Sequence, residues 1–157
     1  MTKFLTKDLL KSASSVLSSF EDVDAADRML ILKIVRAIPI PMKLGDSGPT
    51  GLISETTDLD AALATMHLKY ASRYDDMSSL LDESKASVAT EEIEARDKVS
   101  RSTPEHIIKA RLSFNPEYMR LKERVNRLKR FTEFLDALKW MAVRRTEVTQ
   151  EIYRKEM

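Results

Sequence analysis

Residues 113–157 read SFNPEYMRLKERVNRLKRFTEFLDALKWMAVRRTEVTQEIYRKEM, and their pattern sets the architecture of the chain. Asn115 is a favourable N-cap and Pro116 suits the first helical position, with no Gly or Pro in the rest of the sequence. Apolar residues then recur at spacings of three and four, which is typical of one buried helix face. They are Tyr118, Leu121, Val125, Leu128, Phe131, Leu135, Leu138 and Ala142. The pattern predicts one helix roughly 60 Å long, at about 1.5 Å per residue.

A helix of this length needs partner helices, because it cannot bury its own apolar face inside a small domain. The sequence therefore predicts an all-α protein that assembles into a helical homo-oligomer, with a ring favoured over a dimer. The residues predicted to mediate this oligomerisation share the apolar face of the C-terminal helix. They are Leu121, Val125, Leu128, Leu135 and Leu138.

The composition agrees with a helical protein and excludes several classes of site. The 157 residues include only three Gly and five Pro, and 32% of them are charged. The absence of Cys excludes disulfides and thiolate metal sites. No apolar run approaches the roughly 18 residues of a membrane span. We expect a cytoplasmic protein that has no membrane partner and no cofactor.

Two short helices are predicted at the N-terminal end, from about residues 6–18 and 24–38. Residues 39–56 contain all three glycines and three of the five prolines, so they are predicted to form a linker. The expected organisation is an N-terminal helical segment (1–38), this linker, and a helical-hairpin core (57–157). The N-terminal segment is expected to dock on the oligomer or on a partner protein.

The core is predicted to begin with a second long helix, capped by Thr57 and running to about Val99. Thr103, Pro104 and Glu105 favour the start of a short helix that ends near Leu112 and leads into the C-terminal helix. Two helices of this length joined through a short one predict a long hairpin with coiled-coil character.

Catalysis is a weak hypothesis for this sequence. Gly45-Asp46-Ser47-Gly48 is similar to the nucleophile loop of trypsin-like proteases, but that chemistry needs a histidine base and a β-barrel frame. Both histidines, His67 and His106, fall on predicted helices. Phosphate-loop and dinucleotide signatures are absent. We therefore expect that the protein is not an enzyme and has neither a catalytic residue nor a metal site.

Charge is distributed unevenly along the chain. Residues 101–157 hold 14 Lys and Arg against 8 Asp and Glu, while the chain as a whole has a net charge of +1. This asymmetry indicates an acidic partner, either nucleic acid or protein. The competing interpretation is that these cations only keep the exposed surfaces of long helices hydrated.

The cations nearest the predicted hinge between the long helices are the candidate nucleic-acid-binding residues. They are Arg96, Lys98, Arg101, Lys109, Arg111, Arg120 and Arg124. Aromatic rings at Phe114, Tyr118 and Phe131 are candidates for stacking on single-stranded bases. The helical spacing favours a place in the apolar seam for Tyr118 and Phe131. Phe114 has a second interpretation, as an apolar staple onto the first turn of the helix.

Residues 57 to 157 resemble the UvsY recombination mediator proteins of T4-like bacteriophages. Arg96 and Lys98, in the segment EARDK, fall on the Lys-x-Arg pair of the family's LKAR-type segment, with the two cations in reversed order. Ser100 and Arg101 stand where the family has aromatic residues, and residues 1–56 have no counterpart. The remaining positions that match in register are Thr57, Leu59, Tyr70, Lys109, Leu112, Ser113, Phe134 or Leu135, Arg145 and Ile152.

This resemblance implies a ring-forming helical oligomer that binds single-stranded DNA. Such mediators take part in DNA recombination and repair: they help to displace single-strand binding protein and load a RecA-like recombinase onto the strand. The resemblance also implies a bacteriophage origin and action in the host cytoplasm. The alternative is a structural or adaptor coiled-coil protein of phage assembly that has no nucleic-acid role.

Overall fold

The computed structural model describes residues 11, 13–15, 17–38, 48–97 and 104–156, and these ranges form helices and turns without a strand. Residues 11, 13–15, 17 and 18 are helical. The helices that follow are α1 (Ala25–Ala37), α2 (Gly48–Asp97), α3 (Glu105–Phe114) and α4 (Pro116–Glu156). The predicted all-α class is confirmed.

Helix α4 begins where its sequence predicts. The backbone N–H of Tyr118 donates to Oδ1 of Asn115 at 3.0 Å, which satisfies one of the donors left free at a helix start. Pro116 is the first helical residue. The helix then continues without a break to Glu156.

Helix α2 begins at Gly48, not at Thr57, which corrects the predicted linker. Gly48 has φ +58°, a conformation that favours glycine. Leu52 and Thr56 are buried on the same helical face as Leu59, so residues 48–56 belong to the packed helix. The hydroxyl of Thr57 donates to the Ile53 carbonyl at 3.0 Å within the helix and caps nothing. Residues 39–47 of the predicted linker lie outside the described residues.

The chain divides into two compact units, the first formed by Met1–Tyr70 with Arg130–Met157. In this unit the Phe131 ring meets Tyr70 at 4.7 Å and Phe20 at 5.2 Å, both edge-on, measured between ring centroids. Three α1 residues, Ile31, Ile34 and Val35, are at most 1% exposed. The described residues of the N-terminal segment therefore pack in this core.

Helices α2 and α4 run antiparallel in the first unit. His67 Nε2 lies 2.9 Å from Asp136 Oδ1, and Glu55 Oε2 lies 2.9 Å from Arg145 Nη2. The residue numbers of the α4 partners rise as those of the α2 residues fall, so the two helices point in opposite directions. This packing of one long helix against another confirms the predicted pairing.

The second unit, Ala71–Lys129, contains the rest of α2, α3 and the start of α4. Arg111 Nε of α3 lies 2.9 Å from Glu92 Oε2 of α2. The apolar side chains buried in this unit are Val88, Leu112, Val125 and Leu128. Within the described residues, α2 stays helical through residues 82–90.

The apolar seam of α4 is covered within one chain. Val125, Leu128, Leu135 and Leu138 are between 0% and 7% exposed, and Leu121 is half-buried. The described helices of one chain therefore cover most of this seam.

None of the helices that the structure describes has the length and apolar character needed to cross a membrane.

Candidate nucleic-acid interface

Helix α4 carries five cations in the second unit: Arg120, Arg124 and Arg127 lie on one side of the helix, here called the basic face, and Lys122 and Lys129 lie on the opposite side. Glu123 is the one carboxylate between residues 118 and 129. Arg120, Lys122 and Lys129 are exposed, while the other two cations are half-buried. Spacings of four and three residues place Arg120, Arg124 and Arg127 in one row along the helix. The basic face therefore presents ordered cations to solvent.

Two of these cations have no counterion among the described residues. Arg127 Nη1 pairs with Glu123 Oε1 at 3.2 Å, one helical turn away. Arg120 and Lys122 form no ion pair with another described residue. Cations that a helix leaves exposed and uncompensated suit the binding of an external anion, since the partner need not displace an internal carboxylate.

Phe114 is the aromatic ring most available for stacking, because it is 88% exposed at the end of α3. This exposure shows that Phe114 does not staple onto the first turn of α4. Phe131 is fully buried in the first unit and Tyr118 is half-buried, so the seam interpretation is confirmed for Phe131. Met119, 43% exposed, adds an apolar surface near Phe114 in sequence.

Lys109 and Arg111, both on α3, are engaged in ion pairs. Lys109 Nζ lies 3.0 Å from Glu105 Oε1, and its hydrogen bond holds the pKa of Glu105 below the ordinary value. Arg111 pairs with Glu92, whose side chain is only 10% exposed. The contribution of Lys109 to anion binding is reduced by its pairing, and Arg111 has a structural role in attaching α3 to α2.

Three candidates from the predicted hinge, Arg96, Lys98 and Arg101, are not placed as a group. Arg96 lies in the last turn of α2, and its side chain is not among those described. Lys98 and Arg101 lie outside the described residues. Of the predicted site residues, Arg120 and Arg124 thus share one side of α4, and Arg127 lies in the same row. The signal for Arg127 was its spacing of three residues from Arg124 along the predicted C-terminal helix.

A groove of about 410 Å³ lies between α2 and the start of α4 in the second unit. Its carboxylates are Glu83, Glu91 and Glu117, and its apolar lining residues are Leu80, Val88 and Leu121. Neither Lys nor Arg lines it. No local sequence pattern indicated this groove, because it joins positions about thirty residues apart on two helices.

No group of three or more potential metal ligands comes together among the described residues. His67 is paired with Asp136, whose side chain is 62% exposed, and His106 is exposed on α3. Ser47, of the protease-like loop, lies outside the described residues. Among the described residues, therefore, neither histidine belongs to a cluster of potential metal ligands.

Comparison of the chain with protein-family models, with curated proteins and with solved structures finds no match. The chemistry of the exposed side chains is consequently the main guide to function.

Proposed function

We propose that this protein binds single-stranded DNA through the basic face of α4 and acts as a recombination mediator. In this role it helps to load a RecA-like recombinase onto DNA covered by single-strand binding protein. The observation that carries the DNA-binding proposal is the exposed, uncompensated Arg120 on the basic face, together with the exposed ring of Phe114 just before α4. The mediator role is supported by the sequence resemblance to the UvsY family.

Cations on α4 favour the phosphate backbone as their ligand. Arginine forms paired hydrogen bonds to phosphate oxygens, and each phosphate that a cation neutralises releases condensed counterions. Binding through this face is therefore largely independent of sequence and strongly dependent on salt. The groove carboxylates Glu83, Glu91 and Glu117 repel the strand, which favours a path along the basic face.

The exposed aromatic ring favours single strands over duplex. A base can stack on Phe114 only when it has left its own stack, and such stacking contributes about 1–3 kcal/mol per base. In a duplex the bases are stacked on one another, so the ring gains nothing. The expected ligand is single-stranded DNA of any sequence.

Fluorescence anisotropy with a labelled oligothymidylate and a matched duplex tests the DNA proposal. The variant Arg120→Gln with Arg124→Gln removes two cations of the basic face. It should weaken single-strand binding and make the slope of log K against log salt shallower by about 1.4, at about 0.7 per phosphate contact. The matched control is Arg154→Gln with Lys155→Gln, which removes the same charge from exposed positions at the other end of α4.

The control should bind as the parent does, apart from a small uniform effect of net charge. Equal losses in both double variants would show that only overall charge matters and would contradict a site on the basic face. The variant Arg96→Gln with Lys98→Gln tests separately whether the segment EARDK contributes.

A test of the mediator role needs a functional assay, because many proteins bind single-stranded DNA without acting as mediators. A RecA-like recombinase is added to DNA already covered by single-strand binding protein, and its DNA-dependent ATP hydrolysis is followed. The protein should shorten the lag before hydrolysis, and the Arg120→Gln/Arg124→Gln variant should shorten it less. An unchanged lag with intact DNA binding would remove the mediator role and retain the DNA-binding proposal.

The alternative function is a structural or adaptor helical protein of phage assembly. Trp140, the only tryptophan of the chain, is 70% exposed on α4, and Val143, 53% exposed, follows on the same side of the helix. Exposed tryptophan is characteristic of protein-binding surfaces. Absence of DNA binding by the parent at low salt would favour this alternative.

A further inference from the structure

Helix α1 has an outward face made only of apolar and cationic side chains. The opposite, inward face of this helix fills the core of the first unit. On the outward side, Met29 is 70% exposed and Leu30 is 37% exposed. Lys33 and Arg36 are also exposed and follow Met29 by one and two helical turns, so these four side chains share one face.

The positive charge of this face is unmatched. Neither Lys33 nor Arg36 forms an ion pair with any residue that the structure describes. Asp27, the single carboxylate of Ala25–Ala37, is held by α2 instead. Its Oδ2 lies 2.6 Å from Lys69 Nζ and 2.6 Å from Tyr70 Oη. The outward face therefore combines two cations, neither with a described counterion, and exposed carbon surface.

We infer that the outward face of α1 binds an acidic amphipathic segment of a partner protein. Carboxylates of the partner pair with Lys33 and Arg36, and an apolar side chain packs on Met29 and Leu30. Methionine suits such a contact because its flexible side chain adapts to the shape of its partner. An external carboxylate displaces no internal one, so charge complementarity favours this occupant.

The spacing on α1 defines the partner further. Lys33 and Arg36 lie about 6 and 10 Å along the helix from Met29, at about 1.5 Å per residue. A helical segment that has an apolar stripe, with carboxylates one and two turns from an apolar anchor, matches these distances.

Two other anionic partners fit this face less well. Single-stranded nucleic acid is held by stacking on aromatic rings beside its phosphate contacts, and α1 contains no aromatic residue. A helix that lies on a membrane inserts its broad apolar face into the lipid, whereas that face of α1 is buried in the protein core. The outward apolar surface is restricted to Met29, Leu30 and alanines, which is enough for one anchoring side chain.

Methyl NMR of the full chain locates the contact. The protein is labelled at its methionine methyl groups and titrated with a synthetic peptide of alternating leucine and glutamate pairs. The Met29 signal, assigned by its loss in Met29→Gln, should shift. The signal of the buried Met66 should not shift. Perturbation of Met119, beside the basic face of α4, without perturbation of Met29 would place the peptide on α4 and overturn the assignment to α1.

Fluorescence anisotropy with the labelled peptide measures its affinity. Lys33→Glu/Arg36→Glu should weaken binding by about tenfold, because two exposed ion pairs are replaced by like-charge contacts. Arg154→Glu/Lys155→Glu is the matched control, since it makes the same change of charge at exposed positions of α4 and should bind as the parent does. Met29→Gln, which alters no charge, should also weaken binding. Circular dichroism verifies that all variants keep the parent's helicity.

Control ligands separate this partner from other anions. A peptide with lysine in place of glutamate should not bind. Equal affinity for the two peptides, or equal losses in the two double variants, would contradict a charge-matched site on α1. The same conclusion follows if the glutamate peptide fails to bind at low salt while phosphatidylglycerol vesicles bind the parent and not Lys33→Glu/Arg36→Glu. The contact shares no residue with the basic face of α4, so these outcomes are independent of the DNA binding proposed above.

Discussion

The hydroxyl of Tyr70 donates a hydrogen bond to Asp27, with 2.6 Å between Oη and Oδ2. The same hydroxyl accepts a hydrogen bond from the backbone N–H of Asp24 at 3.0 Å. Lys69 Nζ forms ion pairs with both aspartates, at 2.6 and 2.7 Å. Because the Tyr70 ring is fully buried against Phe131, these bonds attach the start of α1 to the α2–α4 pair.

Removing this hydroxyl should destabilise the fold without disturbing its packing. We expect Tyr70→Phe to lower the free energy of unfolding by about 1–2 kcal/mol, because the Asp24 N–H loses its partner while the ring is kept. Urea denaturation followed by circular dichroism measures the change. Tyr74→Phe is the matched control, since Tyr74 is half-buried on the same helix and should unfold as the parent does. Equal midpoints for Tyr70→Phe and the parent would contradict the role of the bond.

Asp27 should contribute to the loss of stability in acid. Burial raises the pKa of Asp27, but hydrogen bonds from Lys69 and Tyr70 outweigh it and leave the pKa below the ordinary value of 3.8. A lowered folded-state pKa gives stability that is present above pH 3.8 and is lost as the pH falls through the folded-state pKa. The free energy of unfolding of Asp27→Asn should therefore fall less steeply in this acid range. The matched control is Asp58→Asn, which replaces an exposed aspartate of α2. Its free energy of unfolding should fall with pH as steeply as that of the parent.

Tyr70 should make the fold sensitive to alkali. Burial, followed by the hydrogen bond to Asp27, raises the pKa of Tyr70 from 10.0 to about 12. A raised folded-state pKa gives stability that is complete below pH 10 and is lost as the pH rises towards 12. Tyrosinate absorbance of the folded protein should show a late-titrating group that is missing in Tyr70→Phe. If Tyr70→Phe retains that late component, the assignment to Tyr70 is wrong.

Arg145 is a buried cation whose replacement should not weaken the fold. Its side chain is 2% exposed, and Nη2 pairs with Glu55, but neither Nε nor Nη1 has a hydrogen-bond partner. Replacing a buried ion pair by apolar residues of similar size is often neutral or stabilising by about 1–4 kcal/mol, and the Glu55 carboxylate that Arg145→Met would leave is 50% exposed to water. We expect Arg145→Met to unfold at the same or a higher urea concentration. Glu55→Gln should instead lower the free energy of unfolding, because it leaves the buried guanidinium without its counterion. If Arg145→Met loses as much stability as Glu55→Gln, this account is wrong.

Periodicity predicted the parts of the fold that depend on local chemistry. The cap at Asn115, the start at Pro116 and the burial of Phe131, Leu135 and Leu138 follow from spacing and N-cap preference alone. The glycine and proline residues before residue 57 led to a wrong prediction of where α2 begins. Gly48 and Pro49 favoured a linker, whereas the burial of Leu52 and Thr56 on the α2 face extends the helix through them.

Contacts between distant residues could not be derived from spacing. The Phe20–Phe131 and Asp27–Tyr70 pairs join the N-terminal segment to the core, and nothing in either local pattern specifies the partner. The same limit applies to the candidate site. Spacing indicated the row of Arg120 and Arg124, but the ion pair that engages Arg111 depends on Glu92 of another helix.

Phe114 should distinguish base stacking from phosphate binding alone. The ring is 88% exposed, so its removal has little effect on the free energy of unfolding. We expect Phe114→Ala to weaken binding of single-stranded oligonucleotides by about 1–3 kcal/mol, whereas Phe114→Tyr, which keeps an aromatic face, should bind as the parent does. The salt slope should be unchanged in both variants, because no phosphate contact is lost.

Anisotropy titrations at several salt concentrations measure both quantities, and an oligomer of abasic sites provides the control ligand. Phe114→Ala should bind the abasic strand as tightly as the parent does, since that strand has phosphates but no bases to stack. If Phe114→Ala and the parent bind ordinary single strands equally, the ring has no stacking role and the basic face acts through phosphates alone. If Phe114→Ala loses the same affinity for both strands, the substitution acts on the position of the basic face and the stacking interpretation is wrong.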